Sequence, residues 1–225
     1  MRQNTRAPRG LDPEKIVTSA LAVADAEGLD AVTIRRLAQE HQVTPMALYR
    51  HFTDKDDLLN ALADRLLADV VLPEPDERPW HEQMRSVLAA FLDALRPHPS
   101  VARLTLPRIL TSTPGLALAE RCLALLREGG FDVPQAAEVG RQSICALVAL
   151  VTAEPRVDPQ PDQDSPEDAI SARRATIAGL PARRYPNVVA AADTLAYCTD
   201  PAHYYRVGLD LAVAAMRGIS PTAAV

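Results

Sequence analysis

The chain has 225 residues, 48% of them hydrophobic, enough for one large domain or two small ones to bury a core without staples. Aromatics make up only 4% while alanine and leucine abound, a balance that favours helices and argues against a strand-rich design. The net charge of −5 does not advertise nucleic-acid binding, and the odd, widely spaced cysteines Cys122, Cys145 and Cys198 fit reduced thiols better than a disulfide framework. No apolar run reaches membrane-span length and no charged-then-apolar leader appears, so a soluble, cytoplasmic protein is expected.

Charge is unevenly spread. Residues 1–55 carry eight basic and seven acidic side chains, and Arg2, Arg6 and Arg9 precede any acid. The remainder is acidic, so the head has the sign suited to DNA. Asp12-Pro13-Glu14 reads as a cap, a first-turn proline and an acid near the helix dipole. Ile16, Val17, Ala20, Leu21 and Ala24 recur at helical spacing, and Gly28 suits a helix end, giving a helix over 12–27. Thr33 caps a second helix that ends near His41-Gln42. Thr44-Pro45 opens a short third helix running to about His51. Thr53 or Asp54 caps a fourth, whose apolar residues run to about Leu72.

Pro73-Glu74-Pro75-Asp76 breaks the pattern and marks a domain boundary. Helices are predicted near 80–95, 99–111, 115–128, 134–154, 168–178, 186–197 and 201–217. The proline- and acid-rich stretch 155–168 reads as a mobile loop.

Two short helices joined by a tight turn and braced on each side form a helix-turn-helix unit. The second short helix is the natural reading head, because a helix fits the major groove and its N-terminal residues reach base edges. Thr44, Pro45, Met46 and Ala47 are small or apolar, suited to close approach to a groove floor. Tyr49, Arg50, His51 and Lys55 supply phosphate-binding chemistry. Tyr49 also reads as partly core, and His51 as a helix-end cap.

The stretch Val32–Lys55, with Leu-Tyr-Arg-His-Phe followed by Lys-Asp-Asp-Leu-Leu, resembles the DNA-binding domain of the tetracycline-repressor family. The upstream Ala-Glu-Gly-Leu-Asp-Ala-Val-Thr and Leu-Ala-Gln-Glu segments fit the same pattern in order. The resemblance implies an all-α protein with an N-terminal three-helix bundle and a larger helical body for ligand binding and dimerisation. It divides the chain into a DNA-binding domain over 1–54, a connecting helix over 55–72 and a body over 73–225. It places Thr33 and Arg35 beside Thr44–Ala47 at the DNA, with Arg35 as the guanine reader, since a guanidinium bonds O6 and N7 together.

A looser resemblance to the tetracycline-repressor subgroup runs through Trp80–Phe91, His98–Arg108, Leu123–Phe131 and Asp200–Leu209. It places Val71, Val87, Phe91, Thr105, Arg108, Cys122 and Glu154 where inducer-contacting residues lie; Met84 and Leu147 complete a mostly apolar wall. Arg108 and Glu154 are its polar anchors, although Arg108 reads equally as a solvent-facing residue and Phe91 equally as core. Thr105 and Ala146 stand where the subgroup has pocket histidines, so the expected inducer is a largely apolar organic molecule bound without metal or cofactor.

His41, His51, His81, His98 and His203 show no metal-ligand spacing, and no nucleophile, Walker-type or dinucleotide pattern occurs. The expectation is therefore a non-enzymatic regulator: a homodimer that binds double-stranded operator DNA and is released by its inducer. A helical carrier with an accidental helix-turn-helix and a transcriptional activator are the alternatives. Ile144, Leu147, Val148 and Val151, with Leu209, Leu211, Ala212, Ala215 and Met216, are the expected dimer contacts.

Overall fold

The computed structural model describes residues 12–154, 166–198 and 200–219. The three N-terminal arginines and most of the stretch expected as a mobile loop lie outside these residues. All regular structure among the described residues is helical: α1 Pro13–Glu27, α2 Ile34–Glu40, α3 Pro45–Leu48, α4 Lys55–Ala68, α5 Trp80–Leu95, α6 Pro99–Ala102, α7 Thr105–Arg108, α8 Thr113–Glu128, α9 Val133–Thr152, α10 Pro166–Ala178, α11 Pro186–Ala190, α12 Ala192–Ala196 and α13 Pro201–Gly218.

Local chemistry sets the first boundaries. The Asp12 carboxylate accepts the Glu14 N–H at 3.1 Å and Pro13 occupies the first helical position. Gly28 ends α1 at φ +84°, a conformation that needs no side chain. Asp54 accepts the Asp57 N–H at 2.8 Å while Asp57 accepts the Thr53 N–H at 2.9 Å, a reciprocal cap at the start of α4. Helix α4 stops at Ala68 rather than near Leu72. The β-branched pair Val70-Val71 and the residue before Pro73 all disfavour helix.

The predicted helix over 99–111 is two one-turn helices. Pro107 has no N–H to offer the Arg103 carbonyl, and the Thr105 hydroxyl donates instead to the Ala102 carbonyl at 2.7 Å. The predicted helix over 186–197 likewise breaks at Ala191 into α11 and α12.

The structure divides into two compact units, 1–152 with 212–225, and 153–211. In the first, α1 packs against α2, α4 and α6 over a core that includes Ile16, Ala20, Leu37, Leu48, Leu58 and Leu62. Helix α4 also packs against α7 and α8, while α5, α8 and α9 form a three-helix layer. Phe131 and the ring of Trp80 meet edge to face at 5.9 Å, and Gly129 lies directly against that ring. In the second unit α10, α11 and α12 pack on one another, with Ala192 and Ala196 buried and Arg174 paired with Asp193.

Candidate functional site

Helices α2 and α3 pack together through buried Leu37, Ala38 and Leu48. The turn between them carries Gln42 at φ +55°, a left-handed position rarely taken by a residue with a side chain, and Val43 N–H closes it onto the Ala38 carbonyl at 2.9 Å. That turn sets how α3 leaves α2. Thr33 caps α2 by accepting the Arg36 N–H at 3.2 Å, so its hydroxyl already has one backbone partner.

The two adjacent arginines of α2 are in different states. Arg36 is held by Glu27 at 2.8 Å and Glu40 at 3.0 Å, and its guanidinium is raised above its ordinary pKa by the hydrogen bond to Glu40, then by the charge of Glu27. Arg35 is exposed, and its side chain makes no ion pair or hydrogen bond among the described residues. Thr44 begins α3 without a side-chain capping bond, Pro45 is exposed beside it, and Met46 is 68% exposed. Ala47 is half-buried. Tyr49 is 50% exposed, and the exposed side chains of Arg50 and His51 have no partner among the described residues. An uncovered methyl- and thioether-bearing first turn, ending in a phenol and two potential cations, can meet base edges and phosphates together. Lys55 is half-buried and its Nζ donates to the Leu29 carbonyl at 3.4 Å, so this amine also tethers α4 to the end of α1.

The second group of predicted residues lies inside the body. Met84, Val87 and Phe91 share one buried face of α5, and Cys122 of α8, Leu147 of α9 and Thr105 of α7 are buried too. Burial pushes the Cys122 thiol up to about 12, so it is a neutral apolar group rather than a nucleophile.

Three residues predicted for this wall behave otherwise. Val71 is 82% exposed, because the segment after α4 is non-helical and turns this side chain outward. The Arg108 guanidinium forms a two-point pair with Asp64, Nε to Oδ1 and Nη2 to Oδ2, both 2.7 Å, so its charge already has a carboxylate partner. Glu154 is half-buried just beyond α9, where its charge helps to raise the Cys198 and Tyr204 pKa values; burial is the larger cause for both. Among the described residues no group of three His, Cys, Asp or Glu side chains is placed to hold a metal.

Sequence reasoning missed a buried polar clasp. The Gln83 amide donates to the Asp76 and Arg78 carbonyls at 2.9 and 2.8 Å, and its oxygen accepts from Arg121 at 2.8 Å. It pins the Pro-rich connection to α5 and α8. The available signal was a lone amide beside Met84 on an otherwise apolar face.

The family model "Bacterial regulatory proteins, tetR family" matches residues 16–62, and "Tetracyclin repressor-like, C-terminal domain" matches residues 72–218. A curated "HTH-type transcriptional regulator" from Saccharopolyspora erythraea is 30% identical over 142 residues, 63% of this chain. The matched stretch spans only 57% of that relative's own length. Among solved structures, ActR from Streptomyces coelicolor in complex with actinorhodin is similar at TM-score 0.72 and 28% identity, covering 93% of this chain and 98% of that one. BioQ with its double-stranded DNA operator is similar at TM-score 0.57 and 25% identity, covering 82% and 99%. Both the α1–α4 head and the helical body that follows it are thus accounted for, and the chain belongs to the tetR family of bacterial regulatory proteins, with a C-terminal domain of the tetracycline-repressor type.

Proposed function

We propose that this protein is a cytoplasmic, ligand-released transcriptional repressor that grips operator DNA as a homodimer through α2 and α3. The observation that carries the reading is the uncovered first turn of α3, with Thr44, Pro45 and Met46 exposed beside the exposed Arg35, while Arg36 is tied down by two carboxylates. Arg35, Thr44, Pro45, Met46 and Ala47 read bases. Thr33, Tyr49, Arg50, His51 and Lys55 position the head on the backbone. The similarity to BioQ, solved on its operator, supports this mode.

Dimerisation places two heads roughly 34–36 Å apart, one turn of DNA, or a multiple of it. Ile144, Leu147, Val148 and Val151 of α9 and Leu209 and Met216 of α13 are buried within the protomer, so they do not supply the dimer surface. Leu211 at 65% exposed, Val207 and Ala215 remain available on α13, and Ala146 and Ala149 on α9. The inducer is a largely apolar organic molecule that meets Met84, Val87, Phe91, Thr105, Cys122 and Leu147. ActR, solved with actinorhodin, supports an organic ligand at this kind of body. Inducer and DNA must weaken each other by the same factor.

The test is a titration of duplex selected from a random library, across a salt series. Arg35→Ala should relax preference at one base position, while Lys55→Ala should weaken all sequences and lower the salt slope by about one unit. Failure of the wild-type chain to select any sequence would sink the reading.

A further inference from the structure

Two side-chain contacts, one histidine–carboxylate hydrogen bond and one arginine–carboxylate ion pair, cross from the first four helices to the segment that carries α6 and α7. Asp25 on α1 meets His98, the residue that precedes α6, with Oδ2 and Nδ1 2.7 Å apart. Asp64 on α4 meets Arg108 at the end of α7 through two hydrogen bonds of 2.7 Å. These partners are 73 and 44 residues apart in sequence. All four side chains are partly shielded, with exposures between 23% and 35%, so the Asp64–Arg108 pair feels less solvent screening than the more exposed ion pairs of the described residues.

The geometry is that of a two-point brace. One pair grips the C-terminal part of α1, and the other grips the third turn of α4. Two separated polar contacts, added to the packing of α1 on α6 and of α4 on α7 and α8, resist rotation of the bundle more than one would. The α7 point is itself backed from behind: the start of α8 lies against the Arg108 and Ile109 carbonyls, where a Cβ built on Gly115 would come within 2.6 Å of both. The four side chains of the brace are remote from the Thr44–Ala47 turn in sequence and bond to one another.

We propose that Asp25, His98, Asp64 and Arg108 are positioning residues that hold the reading head at one angle to the body, and that they set the half-site spacing the protein accepts. This rests on the operator-binding reading above. Weakening either pair broadens the range of head orientations. The cost then falls on the correctly spaced operator, while wrongly spaced operators gain relative to it.

The experiment uses the full chain and a duplex operator selected by the wild-type protein, together with versions whose half-sites are moved apart or together by one and two base pairs. Asp64→Asn and Asp25→Asn keep side-chain size and remove the charge. Each should bind the selected operator roughly five- to tenfold more weakly, with a flatter dependence on spacing and an unchanged salt slope. The exchanged pair Asp64→Arg with Arg108→Asp should recover sharper spacing preference than either single change, a result that a purely destabilising substitution would not give. Melting curves identify any variant that loses affinity by unfolding, and for such a variant the exchanged pair decides the matter. A spacing profile identical to wild type in the folded asparagine variants, or no recovery in the exchanged pair, overturns the brace. A wild-type protein that selects no operator overturns instead the underlying reading.

Discussion

The contact between α7 and α8 can be tested by adding one methyl group. A Cβ on Gly115 would lie 2.6 Å from the Arg108 and Ile109 carbonyl oxygens and 2.7 Å from the Ile109 Cα. These are backbone atoms that cannot rotate aside, so one helix must retreat by several tenths of an ångström. Overpacking of this kind costs about 1–3 kcal/mol, against which alanine recovers about 0.5–1 kcal/mol of helix propensity. The net cost of Gly115→Ala is therefore up to about 2.5 kcal/mol, centred near about 1 kcal/mol, or a fall in Tm of up to about 10 °C for a chain of this size. Gly140→Ala is the control. It sits within α9, and its Cβ would meet only the Leu126 Cδ1, at an ordinary 3.5 Å. The propensity gain then stands alone, and Tm should rise by about 1–4 °C. Thermal unfolding followed by circular dichroism at one fixed protein concentration measures both, which holds any association constant. A Tm for Gly115→Ala at or above wild type would refute the argument, because it would mean that the α7 backbone gives way freely.

The turn of the helix-turn-helix should prefer glycine: Gln42→Gly should be neutral or stabilising by up to about 1 kcal/mol, while Gln42→Val should destabilise and lower operator affinity, as read by denaturant midpoints and DNA titration. Asp54→Ala removes the acceptor for the Asp57 N–H and should cost about 1 kcal/mol, visible as a shifted midpoint with unchanged slope. Cys122 should resist alkylation in the folded protein at about pH 8, where a more exposed thiol reacts. Its pKa is raised by folding from 9.0 to about 12, so the stabilising effect of the neutral thiol is complete below pH 9.0 and is lost as pH rises toward about 12. The alkaline loss of stability should accordingly be smaller in Cys122→Ala.

Much of the head was legible because its signals are local. Asp12, Gly28, Thr33 and Asp54 each fix a boundary through atoms within a few residues, and the structure forms the corresponding bonds or dihedral angles. Apolar spacing likewise announced the buried faces of α5, α8 and α9. What spacing cannot state is the partner. Ile144, Leu147, Val148 and Val151 form an apolar stripe whether it meets another subunit or its own chain, and here it is buried in its own chain. Arg108 has the same character: nothing near it in sequence reveals that Asp64, 44 residues earlier, takes both of its hydrogen bonds. Val71 continues the apolar pattern of α4 by less than one further turn, but the helix ends first and the side chain leaves the core.

The Trp80 ring, edge-on to Phe131 and pressed against Gly129, has an optical consequence. It is the sole tryptophan of the chain, so the indole emission of the whole protein comes from one place, the base of α5, half-shielded from water. No tryptophan lies in α1–α4. Indole emission excited selectively over the Tyr49 phenol of the head therefore reports on the body alone, without labelling. An emission change on adding operator would mean that a disturbance made at α3 has travelled to the base of α5. Silence on DNA, together with a change on adding an organic ligand, would time the arrival of the ligand before any movement of the head.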